Sequence, residues 1–156
     1  EGKELELKTS KVNSTLVRHF LEMGDVEKVN ELLGRPYSVL GEVVQGDQIG
    51  RTIDFPTANL EIETDKKLPA TGVYGGVVKI KNRVYRAMTH LGARPTLDTS
   101  DIRLEVYVLD FSEDLYGKSL CFEFMSKIRG ITKFANLYEL KVQLKKDEAY
   151  WRKTEF

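Results

Sequence analysis

Apolar residues along this chain change their period twice. Leu16, Val17, Phe20 and Leu21 fall at helical spacing, with Asn13-Ser14-Thr15 ahead of them as candidate caps and Gly24 behind them as a stop. Asp25 opens a second helical pattern, Val26, Val29, Leu32 and Leu33, which ends at Gly34. Gly34-Arg35-Pro36 interrupts helices and marks a boundary. From Tyr37 the period becomes two: Tyr37, Val39, Gly41 and Val43 alternate with Ser38, Leu40, Glu42 and Val44, which predicts a first strand. Gly72 to Ile80, Arg83 to His90, Ile102 to Phe111 and the run through Leu120, Phe122, Phe124 and Met125 predict four more. Lys81-Asn82 supplies one turn and the polar stretch ending at Gly117 another, while Leu60 to Pro69, with its acidic cluster and Lys66-Lys67, reads as a surface loop. The helical period then returns. Asn136 is a candidate N-cap with Glu139 placed for a capping box, Leu137, Leu140 and Leu144 share a face, and Tyr150 and Trp151 extend it. Trp151 reads as a packing anchor. Closely spaced strands without long helices between them predict a mainly β domain, a small barrel or a sandwich, with the last helix covering a flank that would otherwise expose apolar surface.

At 156 residues the chain is one domain with an appendage. Lys+Arg and Asp+Glu both number 24, so the net charge is zero and no broad basic face is available for nucleic acid. No apolar run is long enough to span a bilayer and no signal-peptide pattern is present, so neither nucleic acid nor membrane is an expected partner and a cytoplasmic protein is the default. Cys121 has no second cysteine to pair with; in its apolar run it reads as a buried structural thiol. The chain begins with Glu rather than Met and reads as a processed or excised piece.

One stretch carries candidate chemistry: Gly46-Asp47-Gln48-Ile49-Gly50-Arg51-Thr52-Ile53-Asp54-Phe55-Pro56-Thr57-Ala58-Asn59. Its two glycines, Gly46 and Gly50, let the backbone turn tightly and approach a ligand. Pro56 favours an extended conformation at Phe55. Thr57 and Asn59, two apart in an extended segment, point to one side. A hydroxyl and an amide oxygen there suit a hard cation such as Mg²⁺ that keeps some waters, and they equally suit a polar turn. Neither a Walker motif nor the protein-kinase motif set is present.

This stretch resembles the riboflavin kinase signature, a glycine-bearing loop running into Gly-Phe-Pro-Thr-Ala-Asn. Gly72-Val73-Tyr74, Leu91-Gly92-Ala93-Arg94-Pro95-Thr96, Leu104 to Phe111, Asp114-Leu115-Tyr116-Gly117, and Arg129 with Lys133-Phe134 follow in the family's order. The resemblance implies a six-stranded antiparallel Greek-key (split) barrel over residues 37–156, with a C-terminal helix and an active site at one mouth. It also implies Mg²⁺-dependent transfer of phosphate from ATP to riboflavin, giving FMN. Thr57 and Asn59 would hold Mg²⁺, and the loop bearing Gly46, Gly50 and Arg51 would cradle ATP. Glu105 would take the proton of the terminal ribityl hydroxyl, and Arg129 would lie over the flavin. The strand pattern agrees for Glu105: Leu104, Val106 and Val108 point one way and Glu105 the other, alongside Arg103 and Tyr107. Val12-Asn13-Ser14-Thr15-Leu16-Val17-Arg18 and Leu33-Gly34-Arg35-Pro36-Tyr37 further resemble the passage that joins the adenylyltransferase domain to the kinase domain in bacterial bifunctional FAD synthetases. Residues 1–36 therefore read as a helical linker, the tail of an adenylyltransferase domain that this chain lacks.

Three positions depart from the family's pattern. Asp54 stands where the signature has glycine, His90 where an asparagine is usual, and Ile131 where an acidic residue is usual. His90 reads as structural. The departures define two alternatives to a working kinase: a weakened flavin- or nucleotide-binding regulatory module, and a structural support for a partner adenylyltransferase domain.

Overall fold

The structure, a computed structural model, describes residues 14–44, 57–62, 66–92 and 102–156. Gly46, Gly50, Arg51 and Asp54 lie outside the described residues, as do Asn13 and the Arg94-Pro95-Thr96 motif. Helix α1 covers residues 14–23. It is followed by α2 (Val26–Leu33), β1 (Tyr37–Val44), β2 (Ala58–Ile62), β3 (Gly72–Ile80), β4 (Arg83–Leu91), β5 (Ile102–Val108), β6 (Ser119–Arg129) and α3 (Leu137–Lys153).

The six strands close into a barrel in the order β1-β2-β5-β4-β3-β6, every neighbouring pair antiparallel. Closure decides for a barrel over a sandwich and leaves no open sheet edge. Strands β3, β4 and β5 are consecutive neighbours and β2 returns beside β5, the Greek-key arrangement. Side chains at alternate positions fill the interior: Val39 and Val43, Leu60 and Ile62, Leu104 and Val106, Phe122 and Phe124 are all buried in one cluster. Phe122 and Phe124 meet edge to face at 4.8 Å, and Tyr74 meets Phe124 edge to face at 5.3 Å.

Two boundaries differ from the sequence expectation. Leu60 and Ile62 belong to β2 and face the core, so the surface loop begins later than Leu60. The period-two alternation of Asn59, Leu60, Glu61 and Ile62 is a strand signal that the acidic neighbours concealed. Strand β5 ends at Val108 rather than Phe111, because Asp110 adopts a left-handed conformation, φ 60°, and turns the chain. The β3–β4 hairpin is as expected: Lys81 and Asn82 both have positive φ, 51° and 67°, the pair that a two-residue turn matching strand twist requires.

Helix α2 is capped as the sequence suggests, with Asp25 accepting from the Lys28 amide at 3.2 Å and Gly34 left-handed at its end. It lies against the barrel through buried Val26 and Val29. Asn30 joins it to two strands, donating to the Phe124 carbonyl at 2.8 Å and accepting from the Tyr37 amide at 2.7 Å. Cys121 is half-buried, not in the core: it pairs across strands with exposed Leu40 on the outward side.

Helix α3 covers the outside of the barrel. Trp151 is fully buried, and its Nε1 donates to the Gly76 carbonyl at 3.1 Å. A Cβ on Gly75 would stand 2.4 Å from the indole, so Gly75 is the opening that admits the ring. The face is rotated from the expected one. Leu137 and Tyr150 are exposed, and the inward line runs through Leu140, Leu144, Asp147 and Trp151. Asn136 caps the helix by accepting from the Glu139 amide at 2.9 Å, while Glu139 reaches back one residue further than a capping box, to the Ala135 amide at 3.1 Å.

Candidate active site

Cross-strand register builds the candidate site. Asn59 on β2 is directly opposite Glu105 on β5, and Glu105 is directly opposite His90 on β4. The row continues through Val73 on β3 to Arg129 on β6. It runs from the start of β2, across the middle of β5, to the last residues of β4 and β6 and the start of β3, following the tilt of the strands around the barrel. Because Leu60, Leu104, Val106 and Leu91 take the interior, Asn59, Glu105 and His90 take the outward side. Directly opposite residues have Cβ atoms about 4.5–5.5 Å apart, so an amide, a carboxylate and an imidazole stand side by side. Thr89 fixes this alignment from within: its hydroxyl donates to the Glu105 carbonyl at 2.9 Å.

The environments of the three differ. Glu105 and His90 are exposed, while Asn59 is only 9% exposed. Among the described residues the Asn59 side chain has no hydrogen-bond partner, an arrangement that a buried amide keeps at a cost unless a ligand satisfies it. Thr57, two residues before it, is exposed and carries a hydroxyl. Among the described residues no group of His, Cys, Asp or Glu could hold a metal by itself. A divalent ion here would therefore draw most of its ligands from phosphate and water, as Mg²⁺ at nucleotide sites does, and the Asn59 oxygen, without a partner among the described residues, fits that donor set.

Arg129 ends β6, but its guanidinium is turned to the protein. It pairs with buried Asp147 on α3, donates to the Gly130 carbonyl, and lies 5.7 Å from the centre of the Phe134 ring. Gln143 donates to the same carboxylate at 2.9 Å. The sequence reading missed this network. Its signal was an aspartate at the helical spacing Leu140, Leu144, Asp147, Trp151, a charge on the face that must be buried. Nearby, Tyr107 donates to Glu148 at 2.9 Å; burial, then this bond, pushes its phenol up to about 12. The reading of His90 as structural also missed its place opposite Glu105, which only the pairing of β4 with β5 reveals.

The family model of riboflavin kinase matches residues 33–154, which take in the whole barrel and α3. The chain belongs to the riboflavin kinase family. The bifunctional riboflavin kinase/FMN adenylyltransferase of Haemophilus influenzae is 38% identical over 142 residues, covering 90% of this chain and 46% of that protein. The Bacillus subtilis protein of the same description is 38% identical over 141 residues, covering 88% and 45%. The chain thus spans about half the length of the curated relatives it matches. The riboflavin kinase of Trypanosoma brucei superposes with a TM-score of 0.52 at 25% identity, over 75% of this chain and 78% of that one. A Streptococcus pneumoniae crystal structure described as a macrolide-efflux protein superposes with a TM-score of 0.82 at 39% identity, over 91% of this chain and 47% of that one. Among the described residues of this riboflavin kinase family member, no helix is long and apolar enough to cross a membrane.

Proposed function

We propose that this chain is an ATP:riboflavin 5′-phosphotransferase that makes FMN for FMN and FAD biosynthesis. The observation that carries the reading is the direct register of Asn59 with Glu105: a metal-suited oxygen and a candidate base on adjacent strands, as in-line transfer to a hydroxyl requires. The Glu105 carboxylate takes the proton of the terminal ribityl hydroxyl as that oxygen bonds to the γ-phosphorus, and the bond to the leaving ADP oxygen breaks. Thr57 and Asn59 would hold Mg²⁺, which when bound offsets phosphate charge. Backbone amides of the Gly46–Gly50 loop, with Arg51, serve the ATP phosphates. Arg129 serves the flavin end by holding the segment that follows β6. In the parent protein an adenylyltransferase domain would precede residues 1–36, as the composite descriptions of the relatives support.

The test is direct. The protein is incubated with riboflavin, ATP and Mg²⁺, and FMN is resolved from riboflavin by chromatography. FMN should form only with all three present. Tight binding of flavin or nucleotide without FMN would instead support the weakened regulatory module, which the departures Asp54, His90 and Ile131 favour.

A further inference from the structure

We infer that His90 is the positioning residue for Glu105: its imidazole N–H holds one carboxylate oxygen so that the other faces the substrate hydroxyl. The inference rests on the assignment of Glu105 as the base.

Strand β4 sends Ala87, Thr89 and Leu91 into the barrel, which leaves His90 on the outward side with Glu105. Its neighbour across the other edge of β4 is buried Val73, which has no polar side-chain atom to offer. Among the described residues, Glu105 is therefore the polar group directly opposite the imidazole. The other flank of Glu105 is Asn59, whose oxygen is committed to the cation in the proposed mechanism. Orientation of the carboxylate thus falls to the β4 side. Gly92, two residues along the same side, gives the ring space: a Cβ there would stand 3.1 Å from His90 Cε1. No hydrogen bond joins His90 to Glu105 in the structure, and catalytic hydrogen bonds often tighten only around bound substrate. Directly opposite residues are close enough for an imidazole to reach a carboxylate by side-chain rotation alone.

This role needs a donor, not a charge, so an amide should replace the imidazole in part. His90→Leu removes the donor at similar size, and His90→Asn restores one. With saturating ATP and Mg²⁺, His90→Leu should lower kcat about tenfold, the scale of one hydrogen bond to a charged group. The KM values for riboflavin and ATP and the melting temperature should stay close to those of the parent protein, and His90→Asn should recover most of the loss. In the Glu105→Gln background, His90→Leu should cost nothing further, because the group it positions is gone. An unchanged kcat in His90→Leu, with Glu105→Gln strongly impaired, overturns the positioning role and leaves the base assignment standing. A loss confined to KM, or one that His90→Asn does not relieve, also overturns it. Parent-level turnover in Glu105→Gln overturns the base assignment and this inference together.

Discussion

Arg129, the last residue of β6, grips Asp147 of α3 with two nitrogens: Nε donates to Oδ1 and Oδ2 at 3.1 and 3.0 Å, and Nη2 lies 2.9 Å from Oδ2. The Asp147 side chain is 2% exposed and that of Arg129 16%, so removing either partner leaves the other charge largely buried. Phe134 stacks on the same guanidinium, so the ion pair holds the chain leaving β6 as well as the helix. Asp147→Ala should therefore destabilise the fold by about 2–4 kcal/mol, read as a fall in the urea midpoint. Asp147→Asn keeps an acceptor oxygen and should cost less. If Asp147→Ala changed stability by less than about 0.5 kcal/mol, the guanidinium would have found water, and the pair would not anchor α3.

The second anchor of α3 is steric. Gly75 presents bare backbone to Trp151, and a methyl group there would overlap three indole atoms at 2.4 to 2.6 Å. Neither side can yield easily, since Gly75 is in β3 between two paired strands and the indole is tied to the Gly76 carbonyl. Gly75→Ala should cost about 2–4 kcal/mol through overpacking and displacement of the ring. Trp151 is the sole tryptophan, so its fluorescence reports the event without ambiguity. An emission spectrum that keeps the parent's position, together with an unchanged midpoint, would show that the helix can shift to make room.

These two anchors also mark where sequence reasoning stops. Asn136, Gly34 and Lys81-Asn82 declared themselves because caps and tight turns are local chemistry, satisfied within a few residues. The alternation of Leu104, Glu105 and Val106 placed Glu105 outward for the same reason, since a strand has only two sides. What Asn59 and His90 face depends on which strands become neighbours, and no residue spacing encodes that β5 inserts between β2 and β4. The role of Gly75 has no local signal either, because the indole that fills the space beside it is 76 residues away. The barrel itself was legible only as a family resemblance, because alternation alone permits a sandwich.

Two phenols make the fold sensitive to alkali. Burial pushes Tyr74 up to about 12, and burial with the bond to Glu148 does the same for Tyr107. Both protons are engaged: Tyr74 donates to the Ala70 carbonyl at 2.6 Å, and Tyr107 to Glu148. An unfolded tyrosine ionises near pH ~10. A group whose pKa is raised by folding gives its full stabilisation below the unfolded value and loses it as pH climbs to the folded value. Stability should thus fall from about pH 10 towards about pH 12, and the urea midpoint should track late-appearing phenolate absorbance. Tyr107→Phe should lose some stability at neutral pH and flatten the alkaline fall. Complete phenolate formation by about pH 11 in the folded protein would show that these hydroxyls are reached by water.

The site makes the opposite demand on a substitution, that it leave the fold alone. Glu105 is exposed, and its strand is held by buried Leu104 and Val106 on one side and by the Thr89 bond to its own carbonyl, none of which involves the carboxylate. Glu105→Gln should therefore melt within about 1 °C of the parent, as neutral surface changes do. The amide has the carboxylate's shape but cannot accept the hydroxyl proton, so turnover should fall by roughly 10²–10⁴, the usual range for a lost general base. Flavin and nucleotide affinity, measured by fluorescence titration, should hold, because the proton is taken only in the transition state. Asn59→Ala supplies the contrast: Mg²⁺-dependent ATP binding should weaken first, with any loss of turnover following from it. Turnover in Glu105→Gln within a few-fold of the parent would transfer the base role elsewhere. Equal losses of binding in both variants would mean that the Asn59–Glu105 pair holds the substrate and does not act on it.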